Sequence, residues 1–371
     1  MEREHVRDPE AIQNSQYEEV IRSRERWIER QKNGRLLIRG AESGYEETRQ
    51  GRLKYYLSMN PKVSDTALDS WTCFIHDIRR QSGRHRHQGG ILIYVIEGEG
   101  RTEVEGEVLQ WQVGDLLLLP IRPKGCVHQH WNKDSSKGCR WVAFRHVAVR
   151  DYTANYIEQL IKTPDLDGDA SKDNLTVSQG KVREDWKAKV PGDQVSLVTH
   201  PDQLAGVNMF DKLMEMRDQM RARAQQATWF IRGAELPWEL NAHGKMQWYL
   251  HPCIAYSVVQ TNLFYRQEIP VGSRSGLQRH GGDAVFFILR GQGYTELDGV
   301  RYNWQAEDVM TLPLRPDGVV YRHVNTGAEP VVLIGVEPNM VHAVGLDRHA
   351  GFEELQPCPE YRQRQGGDKA K

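Results

Sequence analysis

Short apolar segments alternate with turn residues over two long parts of the chain, from about 53 to 147 and from about 228 to 345. In the first part, Ile91–Ile96 is apolar and rich in β-branched residues, and the turn Gly98-Glu99-Gly100 follows it. Leu116–Leu119 follows a Gly-Asp turn. Short apolar runs bounded by turn residues are typical of β-strands. The pattern therefore predicts two regions dominated by β structure.

Helical patterns lie outside and between these regions. Residues 8–33 carry a helix start at Asp8-Pro9-Glu10 and a stop at Asn33-Gly34, so a helix is predicted there. Asn208–Gln225 repeats apolar residues, mostly methionine, at helical spacing, and this stripe is expected to pack against the protein rather than to bind a ligand. A shorter helix is expected at Tyr152–Ile161.

The two β-rich regions are copies of each other, displaced by 193 residues. Arg39-Gly40-Ala41-Glu42 returns as Arg232-Gly233-Ala234-Glu235. The same displacement relates further pairs, among them Tyr56 and Tyr249, Gly98 and Gly291, Trp111 and Trp304, Pro120 and Pro313, and Asn132 and Asn325. Copies of this length indicate two similar domains rather than a solenoid, and 371 residues suffice for two cores.

The repeat predicts a division of the chain into five parts. They are an N-terminal helical arm at 1–34, a first β domain at 35–150, a linker with a helix at 151–227, a second β domain at 228–345 and a C-terminal tail at 346–371.

Composition narrows the class of protein. The formal net charge of −1 gives no overall field that would recruit nucleic acid or a membrane surface. The chain has no run of about eighteen apolar residues, so no membrane span is expected, and no apolar signal segment is expected at its start. Five scattered cysteines without a CxxC pair indicate reduced thiols, and a cytoplasmic protein is expected.

Candidate chemistry lies in the first copy. Residues i and i+2 of a strand point to the same face, so His85 and His87 share a face, and His128 and His130 form a second such pair. A barrel brings distant strands together, so one histidine of the second pair can complete a cluster with the first pair. Three neutral imidazoles with open coordination positions suit a divalent transition ion such as iron, manganese, nickel, copper or zinc.

The two histidine pairs and the glycines around them resemble the two metal-binding motifs of a cupin barrel. His85-x-His87 and the glycines that follow fit the first motif, and Pro123-x-Gly125-x-x-His128 followed by Asn132 fits the second. The resemblance implies an all-β dominated tandem double-stranded β-helix, a bicupin of two jelly-roll barrels with an N-terminal helix and an inter-barrel helical segment. The glutamate of the first motif falls on Ile91 or Leu92, which leaves an all-histidine site.

An all-histidine site narrows the resemblance to gentisate 1,2-dioxygenase, salicylate dioxygenase and 1-hydroxy-2-naphthoate dioxygenase. These are bicupins of similar length with iron in the N-terminal barrel. Their second motif ends in His-x-His-x-Asn, which His128-Gln129-His130-Trp131-Asn132 resembles. The resemblance implies one Fe(II) per chain, held by His85, His87 and His128. It also implies an aromatic acid substrate and O2 as partners.

The repeat separates architecture from candidate chemistry. Residues shared by both copies are predicted to be structural, and residues of the first copy alone are better candidates for chemistry. The degenerate second site comprises Gln278, His280, Tyr321 and His323, which stand where the first copy has His85, His87, His128 and His130. Because His130 is repeated, it is predicted to support the ligands or transfer a proton rather than to bind the metal.

Candidate substrate-binding residues are less well marked by the sequence. A substrate carboxylate requires arginine or histidine, and an aromatic ring requires an apolar pocket. The candidates are Arg122, Arg145, Trp131, Tyr94 and Trp141. Each of them also has an ordinary structural role as an alternative.

The resulting hypothesis is an Fe(II)-dependent extradiol-type ring-cleaving dioxygenase. Its substrate would be a hydroxylated aromatic carboxylate such as gentisate or salicylate, both atoms of O2 would be inserted, and no external reductant would be needed. One alternative is a metal-dependent cupin decarboxylase, lyase or isomerase, and another is a non-catalytic small-molecule-binding bicupin. Exposed barrel edges and the helical arm favour a homodimer or homotetramer.

Overall fold

The structure is a computed structural model, and it describes residues 13–59, 65–167, 180–184, 186–187, 189–192 and 197–368. The described strands of the first half are β1 Leu37–Ile38, β2 Glu46–Glu47, β3 Arg52–Leu57, β4 Trp71–Asp77, β5 Arg84–His87, β6 Leu92–Glu97, β7 Glu99–Val104, β8 Glu107–Gln112, β9 Leu116–Leu118, β10 Cys126–Asn132, β11 Arg140–His146, β12 Glu158–Ile161 and β13 Lys181–Val182. Those of the second half are β14 Phe230–Ile231, β15 Glu239–Asn241, β16 Gly244–Leu250, β17 Asn262–Ile269, β18 Leu277–His280, β19 Ala284–Arg290, β20 Gln292–Leu297, β21 Val300–Gln305, β22 Val309–Leu312, β23 Val319–Asn325, β24 Val331–Pro338 and β25 Glu353–Gln356.

Helices occupy the ends of the chain and the connection between the two β regions. They are α1 Gln16–Asn33, α2 Val147–Tyr152, α3 Met209–Gln226, α4 Val341–Val344 and α5 Pro359–Asp368, with 3-10 turns at Pro164–Asp167, Pro201–Leu204 and Gly233–Glu235. Among the described residues, no helix combines the length and the apolar character that crossing a bilayer requires.

The strands form two barrels, each built of two facing antiparallel sheets. In the first barrel the sheets run β14-β9-β6-β11-β4-β3-β2 and β12-β5-β10-β7-β8-β13, with β13 joining β8 in parallel. In the second barrel they run β1-β22-β19-β24-β17-β16-β15 and β21-β20-β23-β18-β25. The predicted fold of two tandem jelly-roll barrels is confirmed.

The barrels exchange short strands. β1, which precedes the first barrel, pairs with β22 of the second barrel, and β14, which precedes the second barrel, pairs with β9 of the first. The sequence boundaries at 35 and 228 assign each of these strands to the barrel that follows it, whereas the pairing assigns each strand to the other barrel.

The repeated Arg-Gly-Ala-Glu segments hold this exchange in place. Asp308 accepts hydrogen bonds from Arg39 Nη1 at 2.9 Å and from the Gly40 amide at 2.8 Å. Asp115 in the other barrel accepts from Arg232 Nη1 at 2.5 Å and from the Gly233 amide at 3.3 Å. Both aspartates are buried, so each ties an incoming segment to the barrel that receives it.

In the part of the chain that the structure describes, three apolar clusters account for the core. One fills the first barrel, one fills the second, and the largest lies between the barrels, where residues of both halves meet. Tyr94 of β6 belongs to this inter-barrel cluster, because its ring centroid lies 5.8 Å from that of Tyr249 and 5.6 Å from that of Phe264. The larger sheets therefore have two buried faces, one toward their own interior and one toward the other barrel.

One predicted helix requires correction, and the predicted start of another is not tested. The predicted start of the first helix at Asp8–Pro9 lies outside the described residues; within them, α1 begins at Gln16 after Ser15, whose side chain accepts from the Glu18 amide. The helix predicted at Tyr152–Ile161 is wrong, because α2 ends at Tyr152 and β12 follows. β12 adds an edge strand next to β5, and β25 adds the corresponding strand next to β18. Part of the predicted tail at 346–371 therefore belongs to the second barrel.

The inter-barrel helix α3 is present as predicted, with Asn208 as its cap. Its apolar stripe is less covered than expected, because none of the residues of α3 is fully buried. Phe210 is 65% exposed and Leu213 57% exposed. The oligomeric state stays a prediction.

Candidate metal centre

Two neighbouring strands bring the three candidate ligands together. β5 and β10 are antiparallel, and their register sets His128 directly opposite His85. His87 follows two residues after His85 and therefore points to the same side of the sheet. All three side chains are buried inside the first barrel, whereas Arg86 between them points outward and pairs with Glu158 at 2.8 Å.

The Pro-x-Gly turn before β10 fixes this register. Gly125 has a φ of +75°, and a side chain there would come within 2.8 Å of the carbonyl oxygen of His87. Gly318 in the second barrel has a φ of +69° and the same closeness to the carbonyl of His280. Only glycine combines this backbone angle with so close an approach, which explains its place in the repeated motif.

The ligand atoms converge. One ring nitrogen from each of His85, His87 and His128 lies within 4.8 Å of the others. The ring centroids are 4.1 Å apart for His85 and His128 and 4.4 Å apart for His87 and His128. Within the described part of the chain, this is the group of three such residues placed closely enough to hold an ion.

Backbone carbonyls orient all three rings. The Nδ1 atom of His85 lies 3.2 Å from the carbonyl of Gly83, that of His87 lies 2.7 Å from the carbonyl of Gln88, and that of His128 lies 3.1 Å from the carbonyl of Cys126. A carbonyl only accepts, so each Nδ1 carries the proton and each Nε2 is left as a lone-pair donor. The Nε2 atom of His85 is buried and has no hydrogen-bond partner.

Burial keeps the three rings neutral. It lowers the pKa of His85 to about 4 and lowers the pKa of His87 and His128 well below their usual range. A neutral imidazole is the form that binds a metal. Apolar Ile91 and Leu92, both buried, occupy the stretch where the motif carries a carboxylate. Three preoriented neutral donors therefore fit a divalent transition ion with open positions.

His130 takes part in a structural triad that both barrels share. Its Nδ1 lies 2.7 Å from Thr102 Oγ1, which also accepts from Trp111 Nε1 at 2.9 Å. In the second barrel His323, Thr295 and Trp304 repeat this arrangement with both distances at 2.9 Å. The repeat agrees with an architectural role for His130, whose buried Nε2 has no hydrogen-bond partner among the described residues.

Sequence reasoning missed His76. It lies fully buried in the first barrel, with its ring 4.8 Å from Trp141 and 6.1 Å from His130, and neither ring nitrogen has a hydrogen-bond partner. Burial lowers its pKa to about 3. Its counterpart in the second barrel is Gln267, because Met246 pairs with Gln267 as Leu53 pairs with His76.

In the second barrel the equivalent histidine is bound differently. His280 accepts a hydrogen bond from the Gly282 amide at Nδ1, 3.0 Å, so its proton is on Nε2, which donates to Glu337 at 3.0 Å. Tyr321 donates its hydroxyl proton to Gln278 at 2.9 Å. The positions that correspond to the three ligands are therefore engaged with one another or with Glu337.

Aromatic rings also fill the space that the first barrel leaves near its histidines. Gly335 pairs with Tyr265, and the ring of Tyr265 lies where a side chain at residue 335 would lie. The residues at these positions in the first barrel are Ala143 and Phe74, which pair in the same register, so the second barrel places a larger tyrosine ring over a glycine. Phe286, whose ring lies 5.7 Å from that of Tyr321, stands where the first barrel has Ile93.

Three of the predicted substrate residues lie away from the histidine cluster. Tyr94 lies between the barrels, Arg122 rests on the ring of Trp229 at a turn, and Trp131 points out of the barrel and donates to Gln81 at 3.1 Å. Trp141 does lie inside the barrel, beside His130 at 5.1 Å between ring centroids.

Arg145 lies against the cluster. It follows Trp141 and Ala143 on the interior face of β11, and its Nη2 atom is 3.1 Å from His87 Nδ1. Arg145 is 7% exposed, and burial lowers its pKa to about 10, so it stays charged at neutral pH.

The second barrel supports the end of this strand, which sequence reasoning also missed. Asp283 accepts from Ser70 Oγ at 2.7 Å and from Trp71 Nε1 at 2.8 Å, and its other oxygen lies 3.2 Å from His146 Nε2. The second barrel therefore holds the ends of β4 and β11 next to Arg145.

Known proteins share these features. A family model described as a cupin domain matches residues 77–145 and 265–337. Gentisate 1,2 dioxygenase 1 of Aquipseudomonas alcaligenes is 24% identical over 241 residues, which cover 62% of this chain and 59% of that protein, less than two thirds of its length.

Solved structures show the same architecture. An oxalate decarboxylase structure superposes with a TM-score of 0.53 at 14% identity, covering 87% of this chain and 80% of that one. The salicylate 1,2-dioxygenase of Pseudoaminobacter salicylatoxidans, as a mutant in complex with gentisate, gives a TM-score of 0.48 at 17% identity over 77% and 74% of the two chains. The chain thus carries two cupin domains in tandem and has the fold of a bicupin.

Proposed function

We propose that this chain is an Fe(II)-dependent ring-cleaving dioxygenase that acts on a hydroxylated aromatic carboxylate. The observation that carries the proposal is the cluster of His85, His87 and His128, three buried neutral imidazoles whose Nδ1 atoms face backbone carbonyls, with no carboxylate among them. Three neutral ligands leave the charge of a divalent ion uncompensated, which favours an anionic chelating substrate over a neutral one.

The similarity to a gentisate 1,2 dioxygenase supports this choice among the possible cupin activities. A carboxylate among the metal ligands would weaken this proposal, because it would offset part of the positive charge that attracts an anionic substrate. Cytoplasmic location and one iron per chain remain parts of the same proposal.

The residues of the chain would divide the work as follows. His85, His87 and His128 would hold Fe(II), and the carbonyls at their Nδ1 atoms would keep the rings in place. When bound, the ferrous ion would bind both the substrate and O2 and allow electron transfer between them. His130, whose buried Nε2 has no hydrogen-bond partner among the described residues, would transfer a proton to or from the substrate.

The overall reaction balances without an added reductant. One carbon–carbon bond of the aromatic ring breaks, and both oxygen atoms of O2 enter the product, which is an open-chain acid. The substrate supplies all four electrons that reduce O2.

Oxygen uptake against product formation tests the proposal. The iron-loaded protein should consume one O2 per molecule of product with at least one member of a panel of gentisate, salicylate and 1-hydroxy-2-naphthoate, and 18O2 should label two product oxygens. Metal-dependent turnover of such acids without O2 would contradict the proposal and favour a decarboxylase or lyase.

A further inference from the structure

Arg145 is a buried cation without an acidic partner. Arg145 is 7% exposed, and its Nε atom has no hydrogen-bond partner among the residues that the structure describes. Among the described residues, no carboxylate lies within ion-pair distance of it. A buried charge without a counter-ion is unfavourable, so a fold that retains one leaves a place for an anion.

The contact with His87 does not satisfy the guanidinium. Because His87 Nδ1 donates its proton to the Gln88 carbonyl at 2.7 Å, it cannot also accept one from Arg145. The nearby Asp283 is already engaged by Ser70, Trp71 and His146. The positive charge of Arg145 acts on all three candidate ligands, as its lowering of the pKa of each shows.

The repeat argues against a role in folding. The second barrel closes and packs without an arginine at this position, because the strand pairings place Glu337 where the first barrel has Arg145, and Glu337 pairs with His280 at 3.0 Å. The arginine occurs only in the barrel that has the histidine cluster.

We propose that Arg145 is the specificity-determining residue that binds the carboxylate of the substrate. The proposal rests on the proposed function for the identity of the rest of the substrate, and it deepens that function by assigning the carboxylate to one side chain. Two parallel N–H groups of a guanidinium match the two oxygens of a carboxylate. Three neutral histidines, a divalent ion and Arg145 together demand an anionic ligand.

Binding to the zinc-loaded protein tests this inference without turnover. Titration calorimetry would compare salicylate with phenol, which lacks the carboxylate, for the unchanged protein and for Arg145→Lys and Arg145→Gln. The unchanged protein should prefer salicylate, and Arg145→Gln should lose about 10- to 100-fold in salicylate affinity with little change for phenol. Arg145→Lys should fall between them. Arg86→Gln, on the outer face of β5, is the control and should bind as the unchanged protein does.

The other outcomes overturn either the inference about Arg145 or the proposed function. If Arg145→Gln weakened both ligands equally, or if the unchanged protein did not prefer salicylate, Arg145 would not be the carboxylate receptor. If Arg145→Gln lost its zinc, as measured by elemental analysis, the arginine would instead position His87. If carboxylate preference depended on Arg145 but no panel acid supported O2 uptake, the proposed oxygenase function would fail while the binding role of Arg145 stood.

Discussion

At the scale of single residues, the direction of one hydrogen bond distinguishes the two barrels. His87 donates from Nδ1 to a carbonyl and leaves Nε2 free, whereas His280 accepts at Nδ1 and commits Nε2 to Glu337. The same amino acid at the same repeat position is thus prepared for a metal in one barrel and for an internal carboxylate in the other.

Removing one ligand should remove the metal but not the fold. His85→Ala is expected to lose stoichiometric iron and all O2 uptake, because two imidazoles bind iron too weakly. Gln278→Ala, the matched change in the second barrel, should keep about one iron per chain. Elemental analysis with circular dichroism of both variants checks this, and full iron retention by His85→Ala would contradict the assignment.

Restoring two histidines should not restore a second site. In the double variant Gln278→His and Tyr321→His, His280 still donates from Nε2 to Glu337, and the rings of Tyr265 and Phe286 still fill the adjacent space. We expect one metal per chain in this variant, as in the unchanged protein, and the same activity. Two tightly bound ions per chain would show that the interior of the second barrel adapts.

His76 should make the metal-free protein sensitive to acid. Its pKa is about 3 in the folded chain and near 6.5 when unfolded, so between these values the unfolded chain binds the extra proton. Stability from this group is complete above pH 6.5 and is lost as the pH falls toward 3. His76→Gln copies Gln267 of the second barrel and should reduce the pH dependence of the unfolding free energy near pH 5 by about 1.4 kcal/mol per pH unit. Urea unfolding at several pH values measures it; an unchanged slope would refute the assignment.

At the scale of elements, strand parity and the repeat offset predicted the histidine cluster and the two barrels, and the structure brings the three histidines together. The alternation of side chains along a strand could not show which face of the sheet carries Tyr94 or Arg145. Both faces of the larger sheets are buried, so alternation between apolar and polar residues, which normally marks the interior, is absent. The strands β1 and β14 were missed because two residues carry no periodicity.

The exchange of β1 and β14 should depend on the two buried aspartates. Asp308→Ala removes the acceptor for Arg39 and the Gly40 amide and leaves a buried donor unpaired, so the unfolding free energy should fall by about 1–3 kcal/mol. Asp317→Ala, an exposed change in the neighbouring turn, should have little effect. Thermal unfolding gives the comparison, and hydrogen exchange should quicken in β22 of the first variant. Equal stability of the two variants would mean that β1 is held by other contacts.

At the scale of the whole molecule, the barrels share their largest apolar cluster, which includes Tyr94 and Phe144 from one barrel and Tyr249 and Phe264 from the other. Separating the barrels would expose all of these side chains to water, so neither barrel has an independent surface there. The two copies are therefore one cooperative structure rather than two linked domains.

Unfolding should accordingly show one transition. The calorimetric and van't Hoff enthalpies should agree, and metal bound in the first barrel should raise the unfolding temperature of the whole chain. Scanning calorimetry with and without a chelator tests this. Two resolved transitions, of which only one responds to the chelator, would show that the barrels unfold separately.

The exchange of strands also sets an order for synthesis. β14 is made after the β9 edge that it completes, so the first barrel closes once the ribosome has passed residue 231. β1 is made first and waits for β22, which begins 271 residues after Ile38. At about 5–20 residues per second this wait lasts roughly 14–54 s. A nascent chain therefore carries an unpaired N-terminal strand for most of its time on the ribosome, and chaperone binding to that segment would be confined to this interval.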